Sequence, residues 1–120
     1  MSLPDFIEGA AFRIVAYATG RGMCPVEEYL DGLPSRDRKR LDALLYRVAE
    51  QGPPRNVERS VKVAGEEFWE FKAYQERIFW CYASGQRIVL LHGFTKKSRR
   101  TPARELRTGR AVYREVQPSL

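Results

Sequence analysis

Phe68-Trp69-Glu70-Phe71-Lys72-Ala73-Tyr74, Arg77-Ile78-Phe79-Trp80-Cys81-Tyr82-Ala83 and Arg87-Ile88-Val89-Leu90-Leu91-His92-Gly93-Phe94 are three runs rich in aromatic and β-branched residues. Such residues suit a pleated, half-buried surface. Gln75-Glu76 separates the first two runs, and Ser84-Gly85-Gln86 separates the last two. Connections this short close hairpins, so the three runs predict an antiparallel meander.

Upstream of the meander the period changes. Leu41, Leu44, Leu45 and Val48 recur at i, i+3, i+4 and i+7. That spacing places them on one face of a helix. Ser35 is the expected N-cap, Gly52 the expected left-handed close, and Pro53-Pro54 forbid continuation. Arg36, Arg38, Lys39, Arg40 and Arg47 are diluted by Asp37, Asp42 and Glu50 on its outer face, which reads as mostly solvated. Pro25 to Leu30 is expected to make one or two helical turns, and Phe12 to Tyr17 a first strand. Downstream, Thr101-Pro102 marks a helix start, with Thr as N-cap and Pro at the first helical position. This last helix, about residues 102–116, carries Gly109 in its middle, which weakens it.

The expected fold is therefore α+β in one domain spanning residues 1–120. An N-terminal strand plus a three-stranded meander forms a small antiparallel or mixed sheet. Two N-terminal helices and a C-terminal helix pack on one side of it.

The net charge of +6 is unevenly spread. Residues 1–60 hold nine Lys/Arg and nine Asp/Glu, and residues 61–120 hold twelve and six. Between 94 and 114 there are eight basic residues and one acidic, Glu105. A basic stripe of this kind is the footprint of a polyanion binder. Two cysteines, Cys24 and Cys81, and one histidine, His92, cannot build a Cys/His zinc cage. No acidic cluster with ligand spacing appears, so neither a metal nor another cofactor is expected. No leader and no apolar run long enough to span a bilayer is read, so a cytoplasmic, reduced protein without a membrane partner is expected.

Alternation along the strands sorts side chains by face. Trp69, Phe71, Ile78, Trp80 and Tyr82 are assigned to the core under the helices. Glu70, Lys72, Arg77, Phe79 and Cys81 are assigned to the opposite, open face. Lys96 and Lys97 follow the third strand and lean over that face. The predicted cluster is Lys72, Arg77, Lys96 and Lys97, bordered by Arg99, Arg100 and Arg104. Clustered cations call for an anion, and Lys and Arg position phosphates without reading sequence. Tyr74 is placed nearby to stack on an unpaired base. The competing reading is a salt-bridged sheet face neutralised by Glu70 and Glu76. His92 falls by alternation with Ile88, Leu90 and Phe94 on the apolar face, away from the cluster.

Trp69-Glu70-Phe71-Lys72, Arg77 opening the next strand, Leu90-Leu91-His92-Gly93-Phe94-Thr95-Lys96-Lys97 and Thr101-Pro102 together resemble the pattern of RelE/ParE-superfamily toxins. The HigB-like, phage-associated branch is the most similar, and Pro25 to Pro34 also resembles it. The likeness covers about residues 12–111 and departs at Lys72, where many relatives carry Arg, and at Gly109, where relatives usually carry Ala. It implies a RelE-like fold and the toxin of a type II toxin–antitoxin system. The implied activity is endoribonuclease cleavage of translated mRNA in the ribosomal A site. The implied protein partner is a helix-turn-helix antitoxin.

By position, the resemblance implies Lys72, Arg77, Lys96 and Lys97 as catalytic residues. Glu70, Tyr74, Arg99, Arg100 and Arg104 are RNA-binding residues in this reading. RNA supplies its own nucleophile, the 2′-hydroxyl, so the protein must orient it, take its proton and stabilise the phosphorane. Arg77 is assigned to the phosphoryl oxygens, Lys72 to the base, and Lys96 or Lys97 to the leaving 5′-oxygen. A 2′,3′-cyclic phosphate and a 5′-hydroxyl are the expected products. Tyr113 is the one aromatic of the last helix. Two alternatives stand beside this reading: a ParE-like gyrase inhibitor and a non-catalytic RNA-binding phage relic.

Overall fold

Leu41, Leu44, Leu45 and Val48 are buried along one side of a helix from Ser35 to Gln51, as their spacing requires. The computed structural model describes residues 1–120. In chain order its elements are β1 (Asp5–Glu8), β2 (Arg13–Ala16), α1 (Pro25–Asp31), α2 (Ser35–Gln51), β3 (Ser60–Lys62), β4 (Trp69–Ala73), β5 (Glu76–Ala83), β6 (Arg87–Thr95) and α3 (Ala103–Val116). A short 3-10 turn, Gln117–Ser119, follows α3. No helix is long and apolar enough to cross a membrane.

The fold is α+β, with a mixed sheet of six strands in the order β1-β2-β6-β5-β4-β3. The meander β4-β5-β6 is antiparallel throughout, while β2 runs parallel to β6, with Arg13 opposite Arg87 and Ala16 opposite Leu90. The edge strands β1 and β3 were not foreseen. Each has three or four residues, too few for a readable period.

Both helix starts are shifted from expectation by one residue. Pro34 caps α2 and Pro102 caps α3, each with extended ψ (147° and 141°). Ser35 and Thr101 make no capping bond, because the proline carbonyls open the two ladders at Arg38 and at Leu106. Gly52 has the expected positive φ of 87°, but its ψ of 169° is extended and not left-handed helical.

The larger correction concerns the layers. Ile14, Phe71, Ile78, Trp80, Ile88 and Leu90 pack beneath α1 and α2. Val15, Tyr17, Phe79, Cys81, Val89, Leu91 and Phe94 form a second core on the other face, closed by Val112 and Val116 of α3. The face expected to be open is therefore covered, and the sheet lies between two helical layers. Phe79, Cys81, Val89 and Leu91 are too apolar to face water, so this face needed a cover. Tyr82 is also corrected: it lies beyond the helices, 47% exposed, and packs edge-on to Trp80.

Two glycines allow the layers to approach. A Cβ at Gly109 would lie 2.6 Å from the ring of Phe79, so α3 reaches the sheet only because position 109 has no side chain. Gly109 thus serves packing at some cost to local helix propensity. A Cβ at Gly93 would lie 2.3 Å from the ring of Tyr29, which seats α1 on β6.

Candidate functional site

Lys72, Arg77 and Phe94 are cross-strand partners near one end of β4, β5 and β6. Directly paired residues share a face, and here it is the face under α3. Lys96 to Thr101 then lead from β6 into α3, carrying Lys96, Lys97, Arg99 and Arg100, with Arg104 in the first turn of the helix. The structure therefore brings the predicted basic residues to one end of the sheet. Lys97, Arg99, Arg100 and Arg104 are exposed, while Lys72, Arg77 and Lys96 are half-buried.

Arg77 is held in place. Its Nη1 donates to the carbonyls of Tyr74 (2.5 Å) and Glu76 (2.9 Å), and its Nε lies 3.1 Å from Glu70 Oε1. The Glu70 contact is an ion pair without hydrogen-bond alignment, and both atoms are buried. Glu70 thus neutralises Arg77, as the salt-bridged reading expected. Nη2 of Arg77 makes no hydrogen bond within the chain. Glu76 does not join this pair. It is buried on the opposite side, where it accepts from Tyr29 Oη (2.5 Å) and Thr95 Oγ1 (2.6 Å). Burial and the Glu76 carboxylate push the Tyr29 hydroxyl well above its ordinary range, so it remains a donor. This network, and a bond from Lys96 N to Gln75 O (2.7 Å), fixes where the Lys96-Lys97 segment leaves the sheet.

His92 is a second correction. Phe79 pairs with His92 while Trp80 pairs with Leu90, so Leu91 is an extra residue in β6. A bulge of this kind breaks the period of two. His92 and Phe94 therefore lie on the α3 face, opposite to Ile88 and Leu90. His92 Nε2 lies 2.9 Å from Glu105 Oε1, and both side chains are mostly buried. A histidine held by a carboxylate is a suitable arrangement for proton transfer. Sequence reasoning missed it, although Glu105 stood out as the one acid in the basic stretch.

Tyr74 is brought to the same end of the sheet but faces α2. The guanidinium of Arg40 sits 3.6 Å above its ring. No surface cleft is lined by Arg77, Lys96 or Lys97. Cys24 and Cys81 are free, and burial pushes the Cys81 thiol up to about 12, which leaves it unreactive. No three His, Cys, Asp or Glu side chains come together as a metal-binding group.

A further ion pair anchors α3. Arg110 donates twice to Glu66, in the loop before β4, and holds its carboxylate below the ordinary range. A depressed carboxylate stabilises the fold above its unfolded pKa and ceases to do so as pH falls through the folded pKa. Glu66→Gln is therefore expected to lower the thermal midpoint at about pH 7, with the difference from the parent shrinking as pH falls through and below the ordinary carboxylate range. Equal midpoints at every pH would show that the pair contributes nothing.

The search among curated proteins gives no match to this chain. The pattern of one protein family, described as "Phage derived protein Gp49-like (DUF891)", matches residues 28–114. That span runs from α1 through nearly all of α3 and includes every residue of the basic end of the sheet, so the chain belongs to the phage-derived Gp49-like family.

Proposed function

We propose that this protein is the toxin of a type II toxin–antitoxin system, a metal-independent endoribonuclease that cuts translated mRNA on the ribosome. The observation that carries the reading is the basic end of the sheet. Seven cationic side chains gather there, and only Arg77 and Arg104 have acidic partners. Lys72, Lys96, Lys97, Arg99 and Arg100 are left for a polyanion. Membership in a phage-derived family agrees with a mobile toxin gene.

In this reading the free Nη2 of Arg77 meets a phosphoryl oxygen, and Lys96 and Lys97 face the charge that grows in the phosphorane. The 2′-hydroxyl oxygen attacks phosphorus, its proton passes to Lys72 or to His92, and the bond to the 5′-oxygen breaks as Lys96 or Lys97 gives that oxygen a proton. Glu105 orients His92 for that transfer. The protein acts in the cytoplasm at the ribosomal A site, and a helix-turn-helix antitoxin silences it. One observation favours a second reading, a non-catalytic RNA binder: Arg77 is largely occupied by Glu70 and the turn carbonyls, and no cleft forms beside it.

Transcript mapping after brief induction separates the two readings. The expected result is discrete cuts within translated mRNA that leave 5′-hydroxyl ends. Lys96→Ala with Lys97→Ala should reduce them by about 100-fold or more. Uncut transcripts without growth arrest would favour the binder. Growth arrest with intact transcripts would point to a gyrase-type target, and 5′-phosphate ends would overturn the mechanism.

A further inference from the structure

The turn between β4 and β5 places a large aromatic where the backbone least favours one. Tyr74 has φ of 57°. Residues with a Cβ avoid this region, and glycine or asparagine commonly fills it. The residue is nonetheless 69% exposed, so burial does not explain its presence. Backbone strain of this kind tends to sit where a side chain is needed for something other than packing.

Beside Tyr74 lies a cleft of about 370 Å³ between α2, the segment before β3 and the end of β4. Its polar lining is Arg40, Arg59, Lys72, Glu58 and Tyr74. Arg40 and Arg59 thus face one carboxylate, while Lys72 borders the cleft with its side chain on the α3 face of the sheet. Arg59 and Lys72 have no acidic partner, and Arg40 approaches only Asp37, at 3.9 Å. Arg40 covers one face of the Tyr74 ring. The other face is the one turned to solvent. An uncovered aromatic face beside an unpaired cation, Arg59, matches the two parts of a single-stranded nucleotide: a base to stack and a phosphate to neutralise.

We propose that this cleft is a nucleotide subsite for single-stranded RNA, in which one base stacks on the free face of Tyr74 and the adjoining phosphate lies beside Arg59. This deepens the proposed function and rests on its premise that the chain binds RNA. Lys72 lines the cleft and is also the cross-strand partner of Arg77. The strand is therefore led from the basic end of the sheet, past the turn, onto α2. Base stacking tolerates any sequence, so the subsite sets register on the strand and not the choice of base.

The test uses the full chain and a short fluorescein-labelled 2′-O-methyl RNA, which lacks the free 2′-hydroxyl and cannot be cut. Tyr74→Asn removes the ring and suits the turn, so its thermal midpoint should not fall. Its affinity should drop roughly 5- to 100-fold. Arg59→Gln should lower the slope of log affinity against log salt by about 0.7. Unchanged affinity in Tyr74→Asn, or equal binding of duplex RNA, would overturn the subsite. If Tyr74 proves dispensable for binding while transcripts are cut, the subsite fails and the nuclease stands. If binding needs Tyr74 while transcripts stay whole, the nuclease fails and the subsite stands.

Discussion

Gly109→Ala is expected to destabilise the protein by about 2 kcal/mol, against the usual direction of the substitution. In an exposed helix interior alanine is better than glycine by about 1 kcal/mol. Here the added Cβ would stand 2.6 Å from Phe79 and 3.2 Å from Phe68, two rings with at most 1% exposure. Both rings are packed in the core beneath α3, so the helix is expected to lift from the sheet and lose contact at Val112 and Val116. Urea denaturation decides the matter, with Thr108→Ala as a neighbouring control on an exposed side of the same helix. Stabilisation by Gly109→Ala would mean that α3 does not pack this closely.

Arg77→Ala is expected to cost about 3 kcal/mol before any question of activity arises. The substitution leaves Glu70, 7% exposed, without its counter-ion. Replacing both partners, Glu70→Leu with Arg77→Met, should recover most of the loss, and a double-mutant cycle would measure the coupling. Equal losses in the single and double variants would show that the pair is incidental. A silent Arg77→Ala protein therefore says little about chemistry. Arg77→Lys is the better probe, because it keeps the charge and removes the planar fork. If Nη2 meets a phosphoryl oxygen, the folded lysine variant should lose about 100-fold in cleavage rate.

Much of the fold was legible because it follows from periodicity. The meander, the buried face of α2 and the turn before α3 each rest on several residues agreeing. β1 and β3 were not legible because they are three or four residues long and are held by backbone bonds to a neighbouring strand, which leave little mark on side-chain type. The covering of both sheet faces was written in Phe79, Cys81, Val89 and Leu91, but the charges at Glu70, Lys72 and Arg77 drew the reading toward an open surface. The basic cluster was found because its members lie on paired strands and the segment that follows them. His92 was misplaced because one extra residue, Leu91, reverses the face of everything after it. The contact of Arg40 with Tyr74 joins two elements distant in sequence, and no local pattern announces it.

The pairing of β2 with β6 has a consequence for how the protein is made. Residues 13–16 need residues 87–90 beside them, and α1 and α2 have little sheet to rest on until β4, β5 and β6 exist. At ordinary rates of synthesis, β2 waits roughly 4–15 s for its partner to be added. More residues must follow before that partner clears the exit tunnel. The nascent chain is thus unable to close its sheet until β6 has emerged. If the proposed function holds, the chain is harmless to the ribosome that makes it until that point.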